Sequence, residues 1–284
     1  MSIKNIIDKN QLKANVVRAH RMNVAGSDFL LMRILDDLAD RLATHTRKFE
    51  NGSVICPWAD HIQNVGSFSE KLSSINLLKI ESSAWHTELL EAAVNSEEIV
   101  FDITNLHRTN DVPGMLVQYN RVLKPDGLFL GCVPGGDTLF ELRQSLAFAE
   151  SEVCGGISPR VLPFMDVRDA GGLLQRAGFA LPVADIDTVV VRYDSVFDLM
   201  LDLRAMGETN VLMDRTKRFT RKALFQKAAQ YYAENFSDKD GRIRATFSFI
   251  WMSGWAPDAS QPKPLKPGSA KMSLVDALKK NNIE

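Results

Sequence analysis

The stretch Asn120-Arg-Val-Leu-Lys-Pro-Asp-Gly-Leu-Phe-Leu-Gly-Cys-Val-Pro-Gly-Gly-Asp-Thr-Leu-Phe-Glu-Leu-Arg143 decides the fold. A helix is expected to end near Leu123, and Lys124-Pro125-Asp126-Gly127 then turns the chain, proline fixing φ and Asp-Gly accepting a tight bend. Leu128 to Val133 runs apolar, as a strand buried on both faces does. Pro134-Gly135-Gly136-Asp137 leads straight into a helix opened by Thr138-Leu-Phe-Glu141, which has the form of a capping box. Helix, turn, strand, glycine loop and helix make the unit that borders the cleft of an open α/β sheet.

Upstream, residues 8–24 and 28–48 read as helices, the second with Leu31, Leu35, Leu38 and Leu42 on one stripe and Asn51-Gly52 as its stop. Ser53 to Cys56, Ile75 to Ile80 and Glu98 to Ile103 read as strands, Thr87 to Val94 as a helix, and Asp111-Val112-Pro113 as a helix start. Downstream, Asp166 caps a helix that ends at Gly178, Ala184 to Tyr193 is a strand, and helices follow over Ser195–Met206 and Thr220–Asn235. Ile243 to Trp255 alternates apolar and polar residues as a half-buried strand. Four prolines between Pro257 and Gly268 make an extended strap. The alternation predicts an α/β fold with a mainly parallel sheet, the strand over 243–255 joining last as an edge strand or antiparallel partner. It divides the chain into N-terminal helices (1–50), a core (51–256) with helices 195–235 as a lid, and a strap and tail (257–284).

Thirty-four basic and 35 acidic residues leave a formal charge of -1, which argues against nucleic acid as a general partner. The basic cluster Arg215, Lys217, Arg218, Arg221 and Lys222 is local: either a solvated helix face or a docking site for an acidic partner. Three cysteines, at 56, 132 and 154, have neither zinc nor disulfide spacing and suit a reducing compartment. No apolar run reaches the roughly 18 residues of a membrane span, and the N-terminus lacks the apolar core of a secretory signal. The expectation is a cytoplasmic, bacterial protein.

Phe101-Asp102-Ile103-Thr104-Asn105-Leu106-His107, the helix 112–123 and the Leu-Lys-Pro-Asp-Gly turn resemble a class I S-adenosylmethionine-dependent methyltransferase. Three further blocks narrow this: Gly135-Gly136-Asp137-Thr138-Leu139 with Glu141-Leu142-Arg143; Met206-Gly207-Glu208-Thr209-Asn210; and Ala245-Thr246-Phe247 with Gly254-Trp255 and Gly268-Ser269-Ala270. Together they resemble the methyltransferase-like assembly factors of respiratory complex I, and more distantly the malonyl carrier-protein methyltransferases of biotin synthesis. The resemblance, strongest over 98–275, implies a Rossmann-like methyltransferase sheet, S-adenosylmethionine as cofactor, and a protein partner such as a complex I subunit.

The first hundred residues depart from that pattern at the cofactor site. Strand one would be Val54-Ile55-Cys56, and where the family has a glycine loop the chain has Pro57-Trp58-Ala59-Asp60-His61. Proline lacks a donor and tryptophan fills the space that glycine leaves open. Glu81 would be the ribose carboxylate, or a surface glutamate, and the short interval from Glu81 to Ile99 predicts that one early edge strand is lost. Trp58, Asp60 and Asn105 are the other cofactor-facing candidates.

Gly135, Gly136 and Thr138 could present backbone N–H groups to an anion of a substrate or partner, or simply make the turn. Arg143 is a bidentate clamp or a structural ion pair; His107 is a general base or a structural histidine; Asp137 is a further catalytic candidate or a cap. Glu208 and Asn210 either cover a substrate or cap the next helix. Asp60-His61 is a weaker acid–base pair, since adjacent side chains seldom reach one atom. No metal cluster or phosphate-binding Gly-Lys-Ser/Thr motif appears. Two functions stay open: an active enzyme (methyl transfer, or arginine hydroxylation of an assembling subunit), or a pseudoenzyme with a degenerate cofactor site that binds a partner. A small-acid or acyl-carrier binding module is a third.

Overall fold

A computed structural model describes residues 5–58, 72–77 and 88–262. The elements are α1 (Lys9–Met22), α2 (Phe29–Ala43), β1 (Phe49–Ile55), β2 (Leu72–Leu77), β3 (Glu97–Ile103), α3 (Val112–Val122), β4 (Leu123–Pro134), α4 (Phe140–Cys154), α5 (Val167–Arg176), β5 (Ala180–Tyr193), α6 (Val196–Ala205), α7 (Lys222–Phe236) and β6 (Ile243–Trp255). The described strands form one mixed sheet in the order β2-β1-β3-β4-β6-β5. β1 pairs in parallel with β2 and β3, and β3 with β4; β6 runs antiparallel between β4 and β5. The last strand is therefore antiparallel as expected, but internal rather than an edge.

Apolar residues cover both sheet faces, because central strands have no solvent side. On one face Leu35, Leu38 and Leu42 of α2 pack with Phe101, Ile103, Leu130 and Phe247. On the other, Met115, Leu116 and Tyr119 of α3 and Leu174 of α5 pack with Val100, Phe129, Ile250 and Met252.

Four local expectations are corrected. β1 starts at Phe49 and runs through Asn51-Gly52. α2 ends earlier, at Ala43, and Gly52 serves strand packing instead: a Cβ there would lie 2.8 Å from Ile99 Cγ2. Residues 88–94 are not helical. Glu88 takes φ 54° and Asn95 φ 55°, and Gln118 of α3 accepts from Leu90 N–H and donates to the Glu88 carbonyl, replacing helical bonds. Lys124-Pro125-Asp126-Gly127 is not a separate turn but an irregularity inside β4, where pairing jumps from Glu97↔Leu123 to Ile99↔Leu128 and Asp126 takes φ 57°.

The fourth concerns α4, which begins at Phe140 after Leu139 at φ 55°, with no side-chain cap. The supposed capping pair is spent on β6. Thr138 Oγ1 donates to the Ser248 carbonyl (2.7 Å) and accepts from its N–H (3.1 Å), while Glu141 accepts from Thr246 N–H and Oγ1–H. Of the interval from Glu81 to Ile99, where a strand is expected to be missing, residues 88–96 are described and form no strand, while residues up to 87, like the tail from 263, lie outside the described residues.

Candidate functional site

A cavity of about 310 Å³ lies at the C-terminal ends of β1, β3 and β4, which contribute Trp58, Thr104 and Pro134 to its wall. In open α/β sheets this end holds the ligand, because the loops leaving the strands diverge there. Phe247 and Phe249 of β6 form an apolar wall, and His20 with residues 23–28, between α1 and α2, forms the roof. Two lining residues, Thr104 (φ 54°) and Leu139 (φ 55°), hold left-handed backbone without being glycine. Such conformations cost about 1–3 kcal/mol each and gather at functional sites.

Trp58 stands where strand one delivers the chain. Its N–H donates to Cys56 Sγ at 3.4 Å, and its ring lies 4.6 Å from that of His20. Burial pushes the Cys56 thiol up to about 12. Gly207 has φ +76°, and a Cβ there would come within 3.3 Å of Trp58 Cζ2, so only glycine suits the position. Asp60 and Glu81 lie outside the described residues.

At the end of β3, the Asp102 carboxylate is fully buried. It accepts from Tyr119 Oη–H (2.5 Å), Asn105 Nδ2–H (3.0 Å) and the N–H groups of Asn105 and Leu106 (both 3.1 Å). Burial raises its pKa in spite of these donors. Asn105 is thereby turned toward Asp102 and is absent from the cavity wall, where its neighbour Thr104 stands.

His107 and Arg108 sit in a 3₁₀ turn with buried side chains, and Glu208 reaches them from the wall of the cavity. Arg108 donates to Glu208 Oε1, and His107 Nε2 lies 3.5 Å from the same oxygen. His107 Nδ1 and one terminal nitrogen of Arg108 are buried without a hydrogen-bond partner among the described residues. Burial tends to raise the Glu208 pKa, but the Arg108 charge and then His107 hold it down at about 2.

The glycine loop is drawn into the sheet. Gly135 N–H donates to the Ser248 carbonyl (2.8 Å), and the Gly136 carbonyl accepts from the Arg143 guanidinium (2.8 Å). Asp137 is exposed and accepts from Phe140 N–H through its carbonyl (3.3 Å). Pro134 and Thr138 line the cavity, whereas Gly135, Gly136, Asp137 and Arg143 do not. Asn210 lines it, donates to the Pro159 carbonyl and accepts from Leu212 N–H. The structure thus brings Trp58, Thr138, Glu208 and Asn210 to one cavity, with His107 behind Glu208.

The roof was missed in the sequence. Asn15, fully buried on α1, donates to the Thr209 carbonyl (3.0 Å), and Arg18 donates to Thr209 Oγ1 (2.7 Å). Lys9 pairs with the buried Glu88 and donates to the Arg108 carbonyl (2.9 Å). A polar stripe of Gln11, Asn15 and Arg18 on a short helix was the available signal. Arg160 and Phe164, from a stretch read only as a loop, also line the cavity. Among the described residues no group of His, Cys, Asp and Glu could hold a metal ion, and no helix is long and apolar enough to cross a membrane.

No family model matches the chain. A mitochondrial arginine-hydroxylase NDUFAF5 from Danio rerio is 42% identical over 197 residues, covering 69% of this chain and 61% of the relative. Its Rattus norvegicus counterpart is 39% identical over 242 residues, covering 85% of this chain and 68% of the relative. A malonyl-[acyl-carrier protein] O-methyltransferase from Laribacter hongkongensis is 33% identical over 181 residues, 64% of this chain and 58% of that one. The chain thus spans about three fifths of several relatives' length, 61% for both the Danio rerio and Mus musculus proteins. Among solved structures, the YcgJ protein of Bacillus subtilis aligns with a TM-score of 0.51 at 14% identity, covering 78% of this chain and 99% of that one, a likeness of fold alone.

Proposed function

The chain belongs to the family of the arginine-hydroxylase NDUFAF5, with a class I S-adenosylmethionine-dependent methyltransferase fold, and from that premise we propose that it binds or acts on a partner protein through a degenerate cofactor site. The partner would be a respiratory complex I subunit, met in the bacterial cytoplasm. One observation carries the reading: Trp58 occupies the end of β1, its indole against His20 and Gly207 and its backbone N–H donating to Cys56 Sγ. An adenosyl ligand needs close backbone approach and free N–H groups there. Pro57 has no N–H to give, and the Asp102 carboxylate on the neighbouring strand is fully engaged by its own turn and Tyr119. The described residues therefore fit the cofactor poorly.

In this reading the domain begins with β1 at Phe49 rather than at 51, the N-terminal helices α1 and α2 with their connection roof the cavity, and the helices over 195–235 serve as a lid. The cavity then receives a side chain of the partner, with Glu208 and Asn210 as its polar contacts. A second reading, an active methyltransferase or arginine hydroxylase, is favoured by the strained Thr104 and Leu139 on the cavity wall. Calorimetric titration with S-adenosylmethionine separates the two. No heat at millimolar ligand is expected; micromolar binding would establish the enzyme and overturn the degenerate-site reading.

A further inference from the structure

We propose that the segment 213–222 is a docking platform for an acidic protein surface, built on the rim of the cavity. Phe219 is 104% exposed, an aromatic ring held wholly in water. Around it Lys217, Arg218, Arg221 and Lys222 are exposed, four cations against the single carboxylate of Asp214, which has a partner of its own; Lys217 also acts on the Asp8 carboxylate. Arg215 differs: it is bound to Asp8 at 2.9 Å and fixes the base of the segment to α1.

The cations are also placed against their own helix. Arg221 is the N-cap of α7 and Lys222 its first residue, with no side-chain cap and no acidic residue in the first turn. Positive charge at the positive end of a helix is unfavourable, and acidic residues are the usual occupants. An arrangement that lowers the stability of the free protein is relieved when a negative surface binds.

The position points to the kind of partner. Thr220 Oγ1 accepts from the Arg160 guanidinium at 3.2 Å; Arg160 lines the cavity and is backed by Glu150 at 2.7 Å. Whatever docks on the segment therefore lies beside the cavity mouth. A protein can offer an acidic patch, an apolar pocket for Phe219 and a side chain that enters the cavity; a flat bilayer offers no such projection. Aromatic and arginine side chains of this kind dominate the energetics of protein contacts.

This rests on the reading that the cavity serves a protein partner, but its test involves no S-adenosylmethionine, so either can fail alone. A fluorescein-labelled peptide of alternating glutamate and leucine is titrated by anisotropy against the full chain, in parallel with phosphatidylserine–phosphatidylcholine vesicles. Wild type should bind the peptide, more weakly as salt rises. Arg218→Glu with Arg221→Glu should lose roughly tenfold or more in affinity, and Phe219→Ser roughly three- to tenfold, by loss of charge complementarity and of an aromatic anchor. These side chains are exposed, so circular dichroism should match wild type; the melting temperature should be unchanged for Phe219→Ser and level or higher for the double variant, since Arg221→Glu places negative charge at the N-terminus of α7. Peptide binding unchanged in both variants, no peptide binding by wild type, or binding to the vesicles in place of the peptide would each overturn the proposal.

Discussion

Glu208 sits between the cavity and a buried guanidinium, and its titration should be visible in the stability of the whole chain. Its carboxyl is held at about 2 against an ordinary value of 4.5, burial raising it and Arg108 and then His107 lowering it further. Between those values the unfolded chain binds more protons than the folded one, so stability rises with pH through this window and falls on acidification from about pH 5 towards 2. Glu208→Gln removes that proton linkage and leaves the Arg108 charge buried without its counter-ion. We expect the variant to be less stable at neutral pH and to have a shallower acid limb. Urea denaturation over a pH series measures both, and curves parallel to wild type would exclude a role for Glu208 in acid stability. From the sequence Glu208 was legible only as a candidate cover for a substrate. Its partner lies a hundred residues away, and nothing local to Arg108 announces that it is buried at 2% exposure.

Elements were most legible where one physical effect acted alone. The apolar runs of β3 and β4 follow from burial, and the structure places strands over both. β6 is a strand as expected but not a half-buried one: Phe247 to Met252 are all buried, Ser248 included, because β6 lies inside the sheet. Asp166 and Ser195 cap helices as their residue types suggest, accepting from Arg168 N–H and Asp198 N–H. Where two uses compete for one pattern, sequence cannot choose. Thr138-Leu-Phe-Glu141 is a sound capping box, but Thr246 and Ser248 of β6, over a hundred residues on, take both side chains instead. The pair ties α4 to the sheet at the cavity wall. Glu141 is only 2% exposed, so Glu141→Ala should leave the Thr246 N–H and hydroxyl facing a space that water scarcely reaches, without their acceptor. The expected loss is about 1–3 kcal/mol, the range for unsatisfied buried polar groups. An exposed-cap loss is typically nearer ~1 kcal/mol and would leave β6 untouched. Chemical denaturation with amide exchange across 244–249 distinguishes them: faster exchange in β6 is expected, and wild-type protection there would show that the contact carries little.

At the scale of the molecule, the α/β class and the succession of strands were readable because each crossover is local. The roof was not, because α1 reaches the cavity through contacts with Glu88 and Thr209 that no window of sequence contains. The three thiols sample these layers separately. Cys154, at the end of α4, is exposed; Cys56, in contact with Trp58, whose ring lies against His20 of the roof, is 9% exposed; Cys132, in the centre of β4, is 0% exposed. Reaction requires a thiolate and an open path, and burial pushes the Cys56 thiol to about 12 and that of Cys132 far above its ordinary value. Regions held by few contacts open well before the global core does. An aromatic disulfide reagent, with each site identified by peptide mass, should accordingly give three phases. Cys154 should react at once, Cys56 at the rate at which the roof opens, and Cys132 only on global unfolding. Adding guanidinium below the unfolding midpoint should accelerate Cys56 far less than Cys132, because roof opening exposes little surface and global unfolding exposes much. If Cys56 instead kept pace with Cys132 at every denaturant concentration, the roof and the sheet would be one cooperative unit, and entry to the cavity would need an opening other than the release of α1.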